Sequence, residues 1–307
     1  MFSAIVGRIL VSDKIHQSPT LLDSRIEPTN ACLKTTYIKA FPIPHATIAA
    51  FFSPPQNMPS KHQIARRFAR ALPVYEHHAA AQMRIAQKLA ADVQSLRRDY
   101  DCVLEIGCGS GVYTRLLQAV LKAESWHIND LCPECADNVA ADVFLAGDIE
   151  TLPLTASYDL ITSASAFQWL ADPDALLRKL NACLKENGLL AFNTFDADNL
   201  HQIKSLTGAG LHYPTAAHWA ALLQQNGFEL ISSEAETITL WFDDAREVLA
   251  HLKHTGVTAT AQQHWTRARL HDFAQAYRER YQQNGRLPLS YTPLYFIARK
   301  TGGKPTE

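Results

Sequence analysis

The sequence predicts a doubly wound, mostly parallel α/β sheet of seven strands that ends in an antiparallel hairpin, with helices ahead of it and a helical insertion late in the chain. Three observations predict it. Short apolar strand signals alternate with amphipathic helix signals between residues 102 and 195, which implies parallel strands joined by right-handed crossovers. The first buried strand runs straight into a glycine-rich turn that opens a helix. After residue 215 the alternation gives way to two long strand signals with helices between them.

Residues 1–57 carry short apolar pieces broken by Pro19, Pro28, Pro42, Pro44, Pro54 and Pro55, without a sustained period of 2 or 3.6. A targeting or regulatory arm is one reading. The favoured one is a poorly ordered extension, not native, upstream of a start at Met58. Residues 58–300 form the expected domain, and 301–307 a tail. Within 58–98, apolar residues from Phe68 to Leu89 recur at three- and four-residue spacing, so cap helices are expected, divided in two by Pro73. Strands are expected at 102–106, 126–130, 142–146, 158–163 and 189–195, with helices at 111–121, 133–140 and 173–186, the last closed by Asn187-Gly188. A helix at 215–225, a long strand at 228–241, helices at 243–253 and 264–282 and a last strand at 291–299 complete the pattern, and 243–286 is the expected insertion or lid.

The chain has 307 residues, 47% of them hydrophobic, and a net charge of −1, so a large core is available and no overall basic field invites nucleic acid. Its six cysteines are too sparse for a disulfide framework. Cys132-Pro-Glu-Cys135 has the spacing of half a zinc site or a redox pair, but no second pair accompanies it, and reduced thiols with no metal are expected. No apolar run is long enough for a membrane span or a signal segment, so a cytoplasmic protein is expected.

Chemistry is concentrated at the strand ends. Val103-Leu104-Glu105-Ile106-Gly107-Cys108-Gly109-Ser110-Gly111 places Gly107, Cys108, Gly109 and Gly111 where backbone can approach a ligand closely. Such a turn alone would equally hold a dinucleotide pyrophosphate. Glu105, two positions before the first glycine, would repel a pyrophosphate and welcome a cationic amino-acid moiety, which favours S-adenosylmethionine. Asp130 ends the second strand, where an acid accepts from ribose hydroxyls; an N-cap is the alternative, and Asn129 is placed to share the role. Asp148 and Ile149 follow the third strand, where a carboxylate accepts from the adenine amino group and the next residue packs on the ring. An ordinary turn aspartate is the alternative. Ser163–Leu170 leaves the fourth strand towards the methyl group, with Trp169 either lining the site or simply core.

Glycines, ribose acid, adenine acid and aromatic segment, one per strand end and in that order, resemble the seven-stranded S-adenosylmethionine methyltransferase superfamily over about 61–300. A narrower resemblance follows. Arg67-Phe68-Ala69-Arg70-Ala71, with Tyr75-Glu76, Ala79 and Gln82, is similar to the opening helices of the malonyl-acyl-carrier-protein O-methyltransferase family of biotin synthesis. The Phe167-Gln168-Trp169 core, Leu252-Lys253-His254-Thr255-Gly256-Val257 and Tyr295–Lys300 resemble that family's segments after strand four, in the insertion and in the final strand.

The resemblance implies methylation of the free carboxylate of a malonyl thioester on acyl carrier protein, with Tyr75, Gln168 and Trp169 positioning the acceptor. A carboxylate is ionised at pH 7, so no general base is required. Acyl carrier protein is acidic, and candidate docking residues are Lys61, Arg66, Arg67, Arg70, Arg84 and Lys88 in the cap helices and Arg267, Arg269, Arg278 and Arg280 in the insertion, although solvated helix faces explain any one of them. His77, His78, His251 and His254 are expected at the surface or in the core. A methyltransferase of a small acid or quinone precursor remains an alternative, and a noncatalytic S-adenosylmethionine-binding module remains another.

Overall fold

The computed structural model describes residues 60–256 and 265–302; the expected 1–57 extension, Val257, His264 and the end of the 301–307 tail lie outside them. Helices α1 (Lys61–His78) and α2 (Ala80–Leu96) precede β1 (Asp99–Ile106), α3 (Val112–Val120), β2 (Lys122–Asp130), β3 (Val143–Ala146) and β4 (Tyr158–Ser163). Then come α4 (Pro173–Cys183), β5 (Leu184–Phe195), α5 (His201–Thr207), α6 (Ala216–Gln225), β6 (Phe228–Ala235), β7 (Ile238–Phe242), α7 (Ala245–His254), α8 (Arg267–Tyr281), β8 (Leu287–Tyr291) and β9 (Pro293–Lys300).

The main sheet has seven strands in the order β3-β2-β1-β4-β5-β9-β6, and β7 pairs with β8 in a separate two-stranded sheet. Strands β3 to β5 are parallel neighbours, while β9 runs antiparallel to both β5 and β6. The doubly wound sheet with its late antiparallel hairpin is therefore as expected. Side chains alternate across it: Val103, Leu160, Leu189 and Ile297 join α2, α3 and the insertion in one core, and Leu104, Ile161, Leu190 and Phe296 join α4 and α6 in the other. Among the described residues no helix is long and apolar enough to cross a membrane.

Five local readings need correction. Pro73 does not divide the first helical run, because α1 continues through it and the chain turns at Ala79. Proline removes one backbone donor, which one turn of a well-capped helix tolerates; Ser60 and Gln63 form a full capping box ahead of it. The segment after Cys132 is a short 3-10 helix, Pro133–Asn138. Asn187-Gly188 is not a helix C-cap: α4 ends at Cys183, and residues 185–188 bulge out of β5 with Asn187 at φ 60°. The single long strand at 228–241 is two strands, β6 and β7, which belong to different sheets. Likewise the last strand signal breaks at Thr292, so that β8 pairs with β7 and β9 enters the main sheet.

Candidate functional site

The carboxyl ends of β1 to β5 open into one large cavity, closed from above by α1 and α2 and from the side by the insertion. Beneath it, β1 hands over to α3 through three left-handed glycines, Gly107, Gly109 and Gly111, at φ 76°, 55° and 78°. Their missing side chains are structural necessities. A Cβ on Gly107 would stand 2.5 Å from the Ala166 methyl, and one on Gly109 would stand 2.9 Å from the Phe68 ring of α1. The loop hangs from the end of β2, since Gly107 and Cys108 donate backbone N–H groups to the Asn129 carbonyl at 2.8 and 3.2 Å.

Asp130 is buried, and its two carboxylate oxygens accept from the backbone N–H groups of Gly109 and Cys132, both at 2.8 Å. Burial raises its pKa, opposed by those two donors. Asp130 also lines the cavity. The Asn129 amide is already committed: it donates to the carbonyls of Leu145 and Gly147 at 2.7 and 3.0 Å, tying β2 to β3.

Of the predicted cofactor residues, Gly107, Cys108, Gly109, Asp130, Asp148 and Ile149 line the cavity, whereas Gly111 and Glu105 do not, and Glu105 departs furthest. It is fully buried behind the glycine loop and is not part of the cavity wall. Neither of its oxygens has a hydrogen-bond partner. Burial raises its pKa to about 8, the neighbouring Thr114 hydroxyl lowers it without closing a bond of ordinary geometry, and the Asp130 charge raises it.

Asp148 and Ile149 line the cavity beside β3. Asp148 accepts from the Glu150 backbone N–H at 3.1 Å and pairs with the Lys61 ammonium at 3.4 Å, and Lys61 also holds Glu150. At the far end of α1, Glu76 grips Arg115 at 2.6 Å, which donates onward to the Ser110 carbonyl at 3.0 Å. Thus α1 is pinned across the cavity at both ends, with Phe68 over Gly109 between them.

After β4 the chain turns sharply at Ser165, a non-glycine residue at φ 59°, whose N–H donates to Asn193 at 2.8 Å. This turn brings Gln168 and Trp169 to the wall. Gln168 spends its amide N–H on the Ser165 carbonyl at 2.6 Å, and its Oε1 is buried and unpartnered. Trp169 both lines the cavity and packs on the main core, so its two readings are compatible. Tyr75 lines the cavity edge-on to Phe68, and burial raises its pKa.

Several wall residues carry no motif: Asn199, Tyr213 and Tyr291 reach the cavity from the turn before α5, a loop and β8, and they meet Gln82 of α2 there. The sequence marks Lys61 as a docking candidate and Phe68 as part of a family-like helix, but not as cavity-wall residues, which both are. Elsewhere, Lys61, Arg84 and Lys88 are held by this chain's own carboxylates, Arg84 by Glu236 at 2.8 Å and Lys88 by Asp92 and Glu234 at 2.9 Å, which weakens them as docking residues. Arg66 and Arg70 are exposed on α1. Cys102, Cys108, Cys132, Cys135 and Cys183 are free thiols.

The comparisons with known proteins agree with one another. A profile of the methyltransferase domain matches residues 61–233. The malonyl-acyl-carrier-protein O-methyltransferase of Porphyromonas gingivalis is 47% identical over 244 residues, covering 77% of this chain and 94% of that one. Its namesake from Haemophilus influenzae is 41% identical over 246 residues, covering 78% and 94%. Among solved structures, a candidate methyltransferase of Bacillus halodurans superposes with a TM-score of 0.52 at 14% identity, covering 70% of this chain and 98% of that one, which speaks for the fold. By its sequence, this chain belongs to the malonyl-acyl-carrier-protein O-methyltransferase family of methyltransferases.

Proposed function

We propose that the protein transfers a methyl group from S-adenosylmethionine to the free carboxylate of a malonyl thioester carried by acyl carrier protein. The observation that carries the reading is the cavity itself. At one end, a glycine cradle is flanked by two strand-end acids, and at the other lies a chamber of phenols and amides. Unpartnered buried oxygens on Gln82, Ser165 and Gln168 around it fit a polar occupant.

In this reading, the backbone of Gly107 to Gly111 packs against the amino-acid portion of the cofactor. Asp130 accepts from the ribose, Asp148 accepts from the adenine amino group, and Ile149 covers the ring. Glu105 acts from behind the loop, through a bridging water or at a distance, on the cationic end. When bound, S-adenosylmethionine supplies an electrophilic methyl on a sulfonium. Tyr75, Gln168 and Trp169 hold the acceptor in line, and α1 with the insertion excludes water.

The charge pattern suits this chemistry. Carboxylate charge disappears as the ester forms, so a cation fixed against the acceptor would stabilise the reactant more than the transition state. Among the described residues lining the cavity, Lys61 is the single Lys or Arg, and it is engaged with Asp148 and Glu150 at the cofactor end. Neutral donors at the acceptor end orient a carboxylate without suppressing its nucleophilicity.

The acceptor is tested with labelled S-adenosylmethionine offered malonyl-, succinyl- and acetyl-carrier protein, free malonate and malonyl-CoA. Malonyl-carrier protein should be labelled fastest; preference for free malonate would favour a small-acid enzyme. Docking is tested separately. Reversing Arg66 and Arg70 to glutamate should raise KM for the carrier-protein substrate by about tenfold at low salt, fading as salt screens the field, while sparing a small malonyl thioester. Equal damage to both acceptors would remove docking as the role of these arginines.

A further inference from the structure

The acceptor end of the cavity contains three phenols, Tyr75, Tyr213 and Tyr291, and two of them are held from behind by polar side chains that the sequence does not associate with any motif. Tyr291 is fully buried at the end of β8, and its hydroxyl lies 2.8 Å from His251 Nε2 on α7. Gln82 and Thr255 flank the same hydroxyl. Tyr213 accepts a hydrogen bond from the Asn199 amide at 3.1 Å. Asn199 also accepts from the backbone N–H of Thr292, next to Tyr291, at 3.1 Å, so one side chain ties both phenols to a common frame. Both rings pack against Phe195, with centroids 6.0 and 6.3 Å from its ring.

A phenol whose oxygen already accepts a bond has its own proton left to give. For Tyr213 that proton is free because Asn199 is the donor. For Tyr291 the same holds when His251 carries its proton on Nε2. His251 is neutral at pH 7, since burial first, and the nearby His78 and His254 next, lower its pKa to about 4. Burial raises the pKa of both phenols, so neither surrenders its proton to solution near neutrality.

We propose that Tyr291 and Tyr213 form a neutral, two-proton receptor for the acceptor carboxylate, with His251 and Asn199 as positioning residues that aim those protons. The ligand class is a single carboxylate on an otherwise uncharged thioester arm. This rests on the methyl transfer proposed above and adds to it the residues that select the acceptor. The receptor orients the carboxylate with two directed donors, and it lacks the fixed positive charge that would both over-stabilise the reactant and repel a sulfonium.

The test uses Tyr291→Phe and Tyr213→Phe in the full chain. Each is measured for KM and kcat with malonyl-carrier protein, and for calorimetric affinity towards S-adenosylhomocysteine and towards a non-reacting malonyl thioester analogue added to protein saturated with S-adenosylhomocysteine. Each substitution should raise KM and weaken analogue binding by about tenfold, the cost of one hydrogen bond to a charged group, and leave S-adenosylhomocysteine affinity within twofold. His251→Leu should reproduce the Tyr291→Phe defect, and His251→Gln, which keeps an N–H at similar reach, should recover most of it. Should Tyr291→Phe fail to fold, Tyr213→Phe and the His251 pair decide. Unchanged KM and analogue affinity in folded variants would overturn the assignment, as would an equal loss of S-adenosylhomocysteine affinity. A wild-type protein that methylates no malonyl thioester would instead refute the proposed reaction, which keeps the two failures apart.

Discussion

Asp130→Ala is expected to weaken S-adenosylmethionine binding about a hundredfold and to lower the melting temperature at the same time. Two effects combine. The proposed ribose contact is a pair of hydrogen bonds to a charged acceptor, each worth ~1.5–3 kcal/mol, with water replacing part of the loss. The alanine also strands the backbone N–H groups of Gly109 and Cys132, which Asp130 now satisfies at 2.8 Å each. A buried donor left without a partner costs about 1–3 kcal/mol. Asp130→Asn separates these effects, because its carbonyl keeps one backbone donor while the charge is lost. Calorimetry and thermal melts on both variants decide it. Unchanged affinity in Asp130→Ala would move the ribose contact elsewhere in the cavity.

Glu105→Gln is expected to change how stability depends on pH. In the cofactor-free protein the Glu105 carboxyl is raised from 4.5 to about 8, chiefly by burial. The fold therefore prefers the protonated form. That contribution is fully present below about pH 4.5 and is lost as pH rises through about 8, amounting to up to about 5 kcal/mol at high pH. Glutamine cannot ionise, so the variant should gain stability relative to the wild type between pH 5 and 9 in denaturant titrations. Its cofactor affinity should move the other way, falling most at pH 8 to 9, where the wild-type carboxylate would attract the cationic end of the ligand, and converging with wild type near pH 5. Parallel stability curves for the two proteins would mean that Glu105 is not held neutral.

The strand-end half of the cavity, where the cofactor is proposed to bind, was readable because it follows chain order. Each strand end contributes one element, and a continuous apolar strand meeting glycines that must adopt positive φ leaves a local signature, as Val103 to Gly111 does. What was missed had competing local explanations. Asn187 at φ 60° serves equally well in a helix C-cap or in the bulge it forms, so turn chemistry could not choose between them. The alternation from Phe228 to Trp241 continues across Glu236 and Thr237, and only the competition between two sheets breaks it there. Pro73 is a helix breaker by local rule, yet α1, with its capping box at Ser60 and Gln63, runs through it. The other half, proposed to take the acceptor, is assembled from separate segments, Gln82, Asn199, Tyr213 and Tyr291 among them, and nothing in the local spacing of any one announces the others. Glu105 shows the opposite limit: its position in the chain was plain, but its lack of a hydrogen-bond partner and its place behind the loop belong to the fold.

The chemical linkage of the transferred methyl is the most direct measurement of what this cavity does. Malonyl-carrier protein labelled from S-adenosylmethionine should, after mild alkaline hydrolysis, release its label as volatile methanol, because the methyl sits on a carboxylate oxygen as an ester. Label that stays in the non-volatile fraction would place the methyl on carbon or nitrogen and contradict carboxyl methylation.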